Sequence, residues 1–257
     1  MIKHYLKVAF RNLMKYKMQS FVSIIGLAVG FTCFALSALW IRYEMTYDNF
    51  HKGSDRIYMV RAHYANEPGT SNFTPYPLME YLQDKMPEIE AVTAFTPHHV
   101  KFRLEETEQE VGMIDADSVF MNFFDIQLLK GTVNFLKSDG QEVAITKEFA
   151  KRLFSKEEDA LGKEVEVGRR VCKIGAIVSG WSNHSNIPYN ILAPARHSPR
   201  WGSSNEQLFI RVRERTDIDA FRTKMSTVRI NDIEKESELS DLLITRMSAL
   251  RYSDYVD

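Results

Sequence analysis

Residues 18–41 read MQSFVSIIGLAVGFTCFALSALWI, and these 24 positions carry no charged side chain. As a helix the stretch is about 36 Å long, enough to cross a hydrocarbon core of about 30 Å with some tilt. Nothing else in the 257-residue chain approaches this length. Lys3, Lys7, Arg11, Lys15 and Lys17 precede it, whereas Arg42 is followed by Glu44 and Asp48. Basic residues stay on the cytoplasmic side of a span. The pattern therefore predicts a cytoplasmic N-terminus and an extracytoplasmic body. Trp40 and Tyr43 fall where an aromatic belt would lie on the far side. The rival reading is a cleaved signal peptide, whose apolar region runs only about 7–15 residues. Ala35-Leu36-Ser37 resembles a cleavage site, but the apolar run continues past it. Cys33, in Gly-Phe-Thr-Cys, matches a lipidation box poorly.

Two further patterns flank and line this span. At about 100° per residue, Ile2, Tyr5, Leu6, Ala9, Phe10, Leu13 and Tyr16 gather on one face of a helix over residues 1–17. Lys3, His4, Lys7, Arg11 and Lys15 gather on the other. Such a helix suits the interface of a membrane with anionic lipids, the basic residues facing the headgroups. Within the span, Ser23, Gly26, Gly30, Cys33 and Ser37 recur at spacings of three and four. Small residues let helices approach closely in lipid, so this stripe is expected to dock on other transmembrane helices.

The charge is unevenly placed. Residues 1–42 hold six of the 33 basic residues and none of the 34 acidic ones, which leaves a net of −7 beyond them. The whole chain sits at −1, with a pI of about 6.7. This balance argues against a general nucleic-acid binder. The composition, 44% hydrophobic and 26% charged, excludes a disordered chain. Two cysteines, Cys33 in the span and Cys172 in the body, provide no disulfide framework.

The body predicts an α+β fold with βα units and a strand-rich part. Ile57, Tyr58, Val60 and Tyr64 mark a first strand. Thr74-Pro75 reads as a helix start, Thr as N-cap and Pro at the first helical position, with Leu78, Met79, Leu82 and Met86 inward. Strands are expected at Ala91–Phe95, Val100–Leu104, Glu110–Asp115 and Phe124–Leu129, with a short helix over Ser118–Phe124. In the first βα unit Glu142–Ile145 is a strand and Thr146 caps the next helix. In the second, Leu208, Ile210 and Val212 alternate along a strand, Thr216-x-x-Asp219 resembles a capping box, and Ile218, Phe221, Met225 and Val228 form a helix face. Between the units, residues 163–180 are strand-rich. Residues 232–241 read as a solvated helix face or a linker.

Catalytic motifs are missing. The chain has no GxxxxGK[ST] phosphate loop, and so no ATPase of its own, and no GxSxG, HExxH, CxxC or GxGxxG. His98 and His99 are strand neighbours, which point to opposite faces and do not converge on one metal. Asp115 and Asp117 read as turn or cap residues, and His184 as a loop residue. No cofactor or metal is expected.

Several segments in order resemble the MacB/FtsX-type bacterial ABC transporter permeases. They are Asn12–Lys17, the GLAxG of Gly26–Gly30, the ExxYDxFH of Glu44–His51 and the DRIYxV of Asp55–Val60. Later come Pro87–Glu90, Asp117–Phe120 with Phe123–Asp125, Ile145–Phe154, Leu161–Lys163 and Ser182–Pro194. The resemblance implies a non-catalytic membrane subunit in the bacterial inner membrane. An ABC-type ATPase partner would hydrolyse ATP in the cytoplasm, and its closure would move the periplasmic domain for export or mechanotransmission. It further implies a division into a cytoplasmic helix (1–17), a transmembrane helix (18–42), a periplasmic MacB-like core (43–245) and a linker (246–257). That linker would lead toward the further transmembrane helices of the family, so the 257 residues resemble the front part of a longer permease, or a truncated relative. Partners would be the ATPase, other helices of the permease or a second copy, and lipid. The alternative is a single-pass membrane-anchored extracytoplasmic binding or sensor module.

Overall fold

Where apolar periodicity changes from helical to alternating, the fold changes with it. The structure, a computed structural model, describes residues 2–65, 68–181, 184–230 and 239–253. It divides into two compact units, Met1–Thr46 and Tyr47–Asp257.

The first unit is two helices, α1 (Ile2–Lys15) and α2 (Lys17–Met45), separated at Tyr16, whose backbone (φ −108°, ψ 57°) is not helical. On α1 the side chains of Tyr5, Phe10 and Met14 are exposed, as are those of His4, Lys7, Arg11 and Lys15. Along α2 none of the most apolar stretch is buried within the chain. A 29-residue helix that is apolar on all sides belongs in an apolar medium, and α2 is long and apolar enough to cross a membrane. Its one internal threonine, Thr32, donates its hydroxyl to the Ala28 carbonyl at 2.8 Å, which satisfies the group without water.

The second unit follows in the order β1 (Ile57–Tyr64), β2 (Thr70–Ser71), β3 (Thr74–Pro75), α3 (Pro77–Lys85), β4 (Ile89–Leu104), β5 (Thr107–Ala116), α4 (Ser118–Phe123) and β6 (Leu128–Gly131). It continues through β7 (Glu142–Thr146), α5 (Lys147–Leu153), β8 (Glu164–Val167), β9 (Arg170–Val178), β10 (Ile191–Pro194), β11 (Ser204–Val212), α6 (Ile218–Ser226), β12 (Leu239–Arg246) and α7 (Leu250–Ser253). The strands form one sheet in the order β12-β1-β11-β4-β5-β10-β7-β9-β6. Pairings are antiparallel except β10 with β5 and β7 with β9.

Strand β4 joins two lobes. Its first half pairs with β11 as far as Phe95, and from Thr96 onward it pairs with β5. Pro97, which has no N–H to give a ladder, stands just past the point where the pairing with β11 ends. Both faces of the first lobe are covered, so its strands are apolar on both sides. Tyr58, Val60 and Ala62 of β1 and Leu208, Ile210 and Val212 of β11 pack under Leu78 and Leu82 of α3 and Phe221 and Met225 of α6. The alternate residues Ile57, Met59 and Phe209 face an aromatic layer with Phe95, Phe120 and Phe124. The second lobe encloses Phe102, Ile145, Phe149 and Ile174.

Caps behave as their chemistry dictates. Thr146 accepts from the Phe149 N–H at 3.3 Å, and Asp117 accepts from the Phe120 N–H at 2.8 Å. Several expectations need correction. Thr74-Pro75 is not a helix start. Those residues form β3 against β11, Thr74 donates its hydroxyl to the Glu206 carbonyl, and Pro77 takes the first helical position. The cap of α6 is Asp217, not Thr216, because its carboxylate accepts two amide bonds, from Asp219 and Ala220, each at 3.1 Å. The two strands expected at 91–95 and 100–104 are one, and the strand expected at 124–129 begins only at Leu128. Residues 231–238, most of the expected charged face or linker, lie outside the described residues. Leu242–Ile244 form the middle of β12, and Met247, in the segment expected as a linker, is fully buried.

Candidate functional site

The chain leaves α2 at Met45 and turns at once through Tyr47-Asp48-Asn49-Phe50-His51, the first residues of the second unit. Asp48 has a positive φ of 57°, a conformation that aspartate tolerates better than most residues. It is fully buried. Asn186 donates to its carboxylate twice, from the side-chain amide at 2.7 Å and from the backbone N–H at 3.1 Å. The Asp48 N–H donates to the His184 carbonyl at 3.2 Å. The same Asn186 amide also reaches the Met247 carbonyl, at 3.3 Å, just beyond β12. One asparagine thus ties together the turn after α2, the loop from 184 to 187 and the segment that follows the last strand.

Aromatic contacts surround this knot. The Tyr47 ring lies 3.9 Å from that of His184, and the Arg251 guanidinium sits 4.4 Å from the Tyr47 centroid. His51 packs among Phe50, Phe124 and Trp181, at 4.3, 5.0 and 4.8 Å. Trp181 in turn donates its indole N–H to the Ile187 carbonyl at 2.8 Å. Met247, Leu250 and Trp181 all belong to the aromatic layer of the first lobe.

Burial works against charge here. Burial pushes the Asp48 carboxyl above its usual range, against the pull of the Ser185 and Asn186 hydrogen bonds. Burial, helped by the positive Arg211, lowers His51 to about 4. Asp48 Oδ1 and His51 Nε2 stand 4.0 Å apart, too far for a hydrogen bond. Buried and tied by amide hydrogen bonds, the knot is suited to hold parts of the chain together.

A second polar cluster sits where β3, β11 and the start of α4 meet. His197 stacks on Tyr76 (4.0 Å, 9°) and lies 3.2 Å from Glu206 and 3.5 Å from Asp117. Glu206 accepts from the Thr96 hydroxyl at 2.8 Å. Burial works against the cation, but the hydrogen bonds and charges of Asp117 and Glu206 outweigh it and hold His197 up at about 9. Asp117 and Glu206 are themselves engaged, by the Phe120 N–H and the Thr96 hydroxyl, so this cluster reads as a structural clamp.

The residues singled out in the sequence fall as follows. Ser23, Gly26, Gly30, Cys33 and Ser37 lie on α2 and are exposed, and a Cβ at Gly26 or Gly30 would meet nothing within 4 Å. Lys7, Arg11 and Lys15 are exposed on α1, whereas the side chain of Lys3 lies outside the described residues. His98 pairs with Asp115 at 2.9 Å, and Asp117 caps α4. Among the described residues no three His, Cys, Asp or Glu converge as a metal site. Sequence reasoning missed Trp181, Asn186, Met247 and Arg251. The ExxYDxFH run and the polar loop after Trp181 were visible separately, but their meeting was not.

Comparison with known proteins now adds to this geometry. Residues 20–228 match the family model of the MacB-like periplasmic core domain. A domain of a permease protein from Porphyromonas gingivalis superposes with a TM-score of 0.61 at 19% identity, covering 76% of this chain and 92% of that one. The extracellular domain of the noncanonic ABC-type transporter YknZ from Gram-positive bacteria gives 0.53 at 15% identity, covering 74% and 99%. The periplasmic region of MacB from Actinobacillus actinomycetemcomitans gives 0.54 at 12% identity, covering 79% and 94%. At these identities the structures share the fold. No curated protein matches the chain.

Proposed function

Because the chain belongs to the MacB-like periplasmic core domain family, we propose that it is a non-catalytic membrane subunit of a MacB/FtsX-type ABC transporter. In this role α2 is an inner-membrane span with the N-terminus in the cytoplasm and the second unit in the periplasm. A separate ABC-type ATPase supplies the work, and the span passes its movement to the folded unit for export or mechanotransmission.

The observation that carries this reading is the Asn186 knot. Force arriving through α2 enters the second unit at Tyr47–His51. There Asp48 is held by Asn186, which also holds the carbonyl of Met247. A pull on the turn is therefore delivered both to the core and to the segment after β12, rather than being absorbed by a slack linker. Buried, doubly donated carboxylate bonds resist such a load better than exposed ones. The small-residue stripe of α2 is the face proposed to meet other transmembrane helices, and Lys3, Lys7, Arg11 and Lys15 the face proposed to meet anionic lipid.

The test is complementation of a strain lacking the gene. A chain cut after Trp40 should restore no transport or signalling, and Asn186→Ala at matched membrane levels should restore much less than the parent. Full function from the cut chain would remove the mechanical role.

A further inference from the structure

The second lobe holds a cavity of about 340 Å³ that shares no residue with the Asn186 knot. Its volume lies at the small end of the range for ligand pockets. Val143, Val167 and Ala193, from β7, β8 and β10, give it an apolar floor. Its mouth is cationic, with Arg169, Arg170 and Arg196.

The arginines differ in engagement. Arg196 is paired with Asp139 and donates to its backbone carbonyl at 2.8 Å. Arg169 and Arg170 make no side-chain hydrogen bond or ion pair among the described residues. They are nonetheless held in place. Arg169 lies on the two-residue turn between β8 and β9, and Arg170 opens β9, paired with Val167. Gly168 supplies the positive φ of 64° that such a turn requires. The Gly168 N–H donates to the Lys101 carbonyl at 2.7 Å, which pins the turn to β4. The cavity's one carboxylate, Asp115, lies 2.9 Å from His98 and also feels the positive charge of Arg170.

A guanidinium presents a planar fork that matches the two oxygens of a carboxylate. Two such forks without a hydrogen-bonded partner, carried by a pinned turn at the rim of an apolar hollow, match a ligand with an anionic head and an apolar body. We propose that this cavity binds a small amphipathic carboxylate, its head on Arg169 and Arg170 and its apolar part against Val143, Val167 and Ala193. Neither the coupling role nor the direction of the span is needed for this site, so the two fail separately.

The experiment is calorimetric titration of the full chain in phosphatidylcholine nanodiscs, with empty discs subtracted. The probe is 4-phenylbutyrate. Its uncharged analogue 4-phenylbutyramide lacks the head, and inorganic phosphate lacks the apolar body. We expect one saturable site for 4-phenylbutyrate with a Kd of about 1 mM or below, and at least roughly tenfold weaker binding of both comparators. Arg169→Gln and Arg170→Gln, both at exposed positions, should keep the thermal midpoint and each weaken the acid about fivefold or more. Absence of saturable heat, equal binding of acid and amide, or parental affinity in both variants would overturn the proposal.

Discussion

Lowering the pH should loosen the knot through His51 before it affects the rest of the fold. His51 is held at about 4, below its ordinary 6.5, by burial first and by Arg211 second, with Asp125 pulling weakly the other way. A histidine with a depressed folded value binds its proton more readily in the unfolded chain. Its contribution to stability is complete above pH 6.5 and is lost as the pH falls from 6.5 toward 4. Its side chain is only 5% exposed, so solvent screening is slight. Between pH 7 and pH 4.5 the loss amounts to about 2 kcal/mol, or about 4–8 °C in thermal midpoint for a unit of this size. The assay is thermal unfolding of the full chain in neutral-lipid nanodiscs, followed by tryptophan fluorescence, at both pH values. Trp181 meets the His51 ring edge-on at 4.8 Å, so the signal includes the site itself. His51→Phe fits the aromatic surroundings of Phe50, Phe124 and Trp181 and cannot titrate. Any packing penalty it carries is common to both pH values and cancels in the difference. The variant should therefore lose about 2 kcal/mol less than the parent across this interval. Equal losses in parent and variant would refute the reasoning, since they would place the acid sensitivity elsewhere.

Asn186→Ala removes donors from the Asp48 carboxylate and the Met247 carbonyl and should destabilise the second unit by about 1–3 kcal/mol, read as a fall in thermal midpoint. His197 behaves oppositely to His51. Its folded value of about 9 lies above 6.5, so its stabilisation is complete below pH 6.5 and is lost as the pH rises through 9. His197→Gln should flatten the stability profile between pH 6.5 and 9.5, a change of up to about 3 kcal/mol. At Gly131, φ is +81° and an added Cβ would run into the Gly175 carbonyl across the β6–β9 pair. Gly131→Ala should cost more than about 1 kcal/mol in chemical denaturation, whereas the same change at Gly162, whose φ is +76° but whose surroundings are open, should cost less.

What the chain order revealed, and what it hid, follows from the range of the interactions. The apolar run 18–41 is a local signal, and α2 contains it whole. Thr146 and Asp117 act through amides three residues on, so their capping was legible. The alternation at Leu208–Val212 was equally plain, because one face packs under α3 and α6. Elsewhere a local signal met a distant partner and lost. Thr74 looked like a cap, but its hydroxyl turns to Glu206, far along the chain. β12 reads as a brief apolar patch because its stability comes from pairing with β1, nearly two hundred residues earlier. The knot was hidden for the same reason. Asp48, Asn186 and Met247 are unremarkable singly and acquire a role only where the fold brings them together. Arg169 and Arg170 stand on the β8–β9 hairpin, but most of the apolar floor beneath them comes from β7 and β10, distant in the chain.

The most direct test of the coupling role is purification of the chain from native membranes at native expression, with vanadate-sensitive ATP hydrolysis measured on the purified material. The expected result is co-purification of a P-loop ATPase subunit in stoichiometric amount, with hydrolysis that Asn186→Ala leaves intact while it sharply reduces complementation. Recovery of the chain without any ATPase, or an Asn186→Ala variant that complements fully, would contradict it.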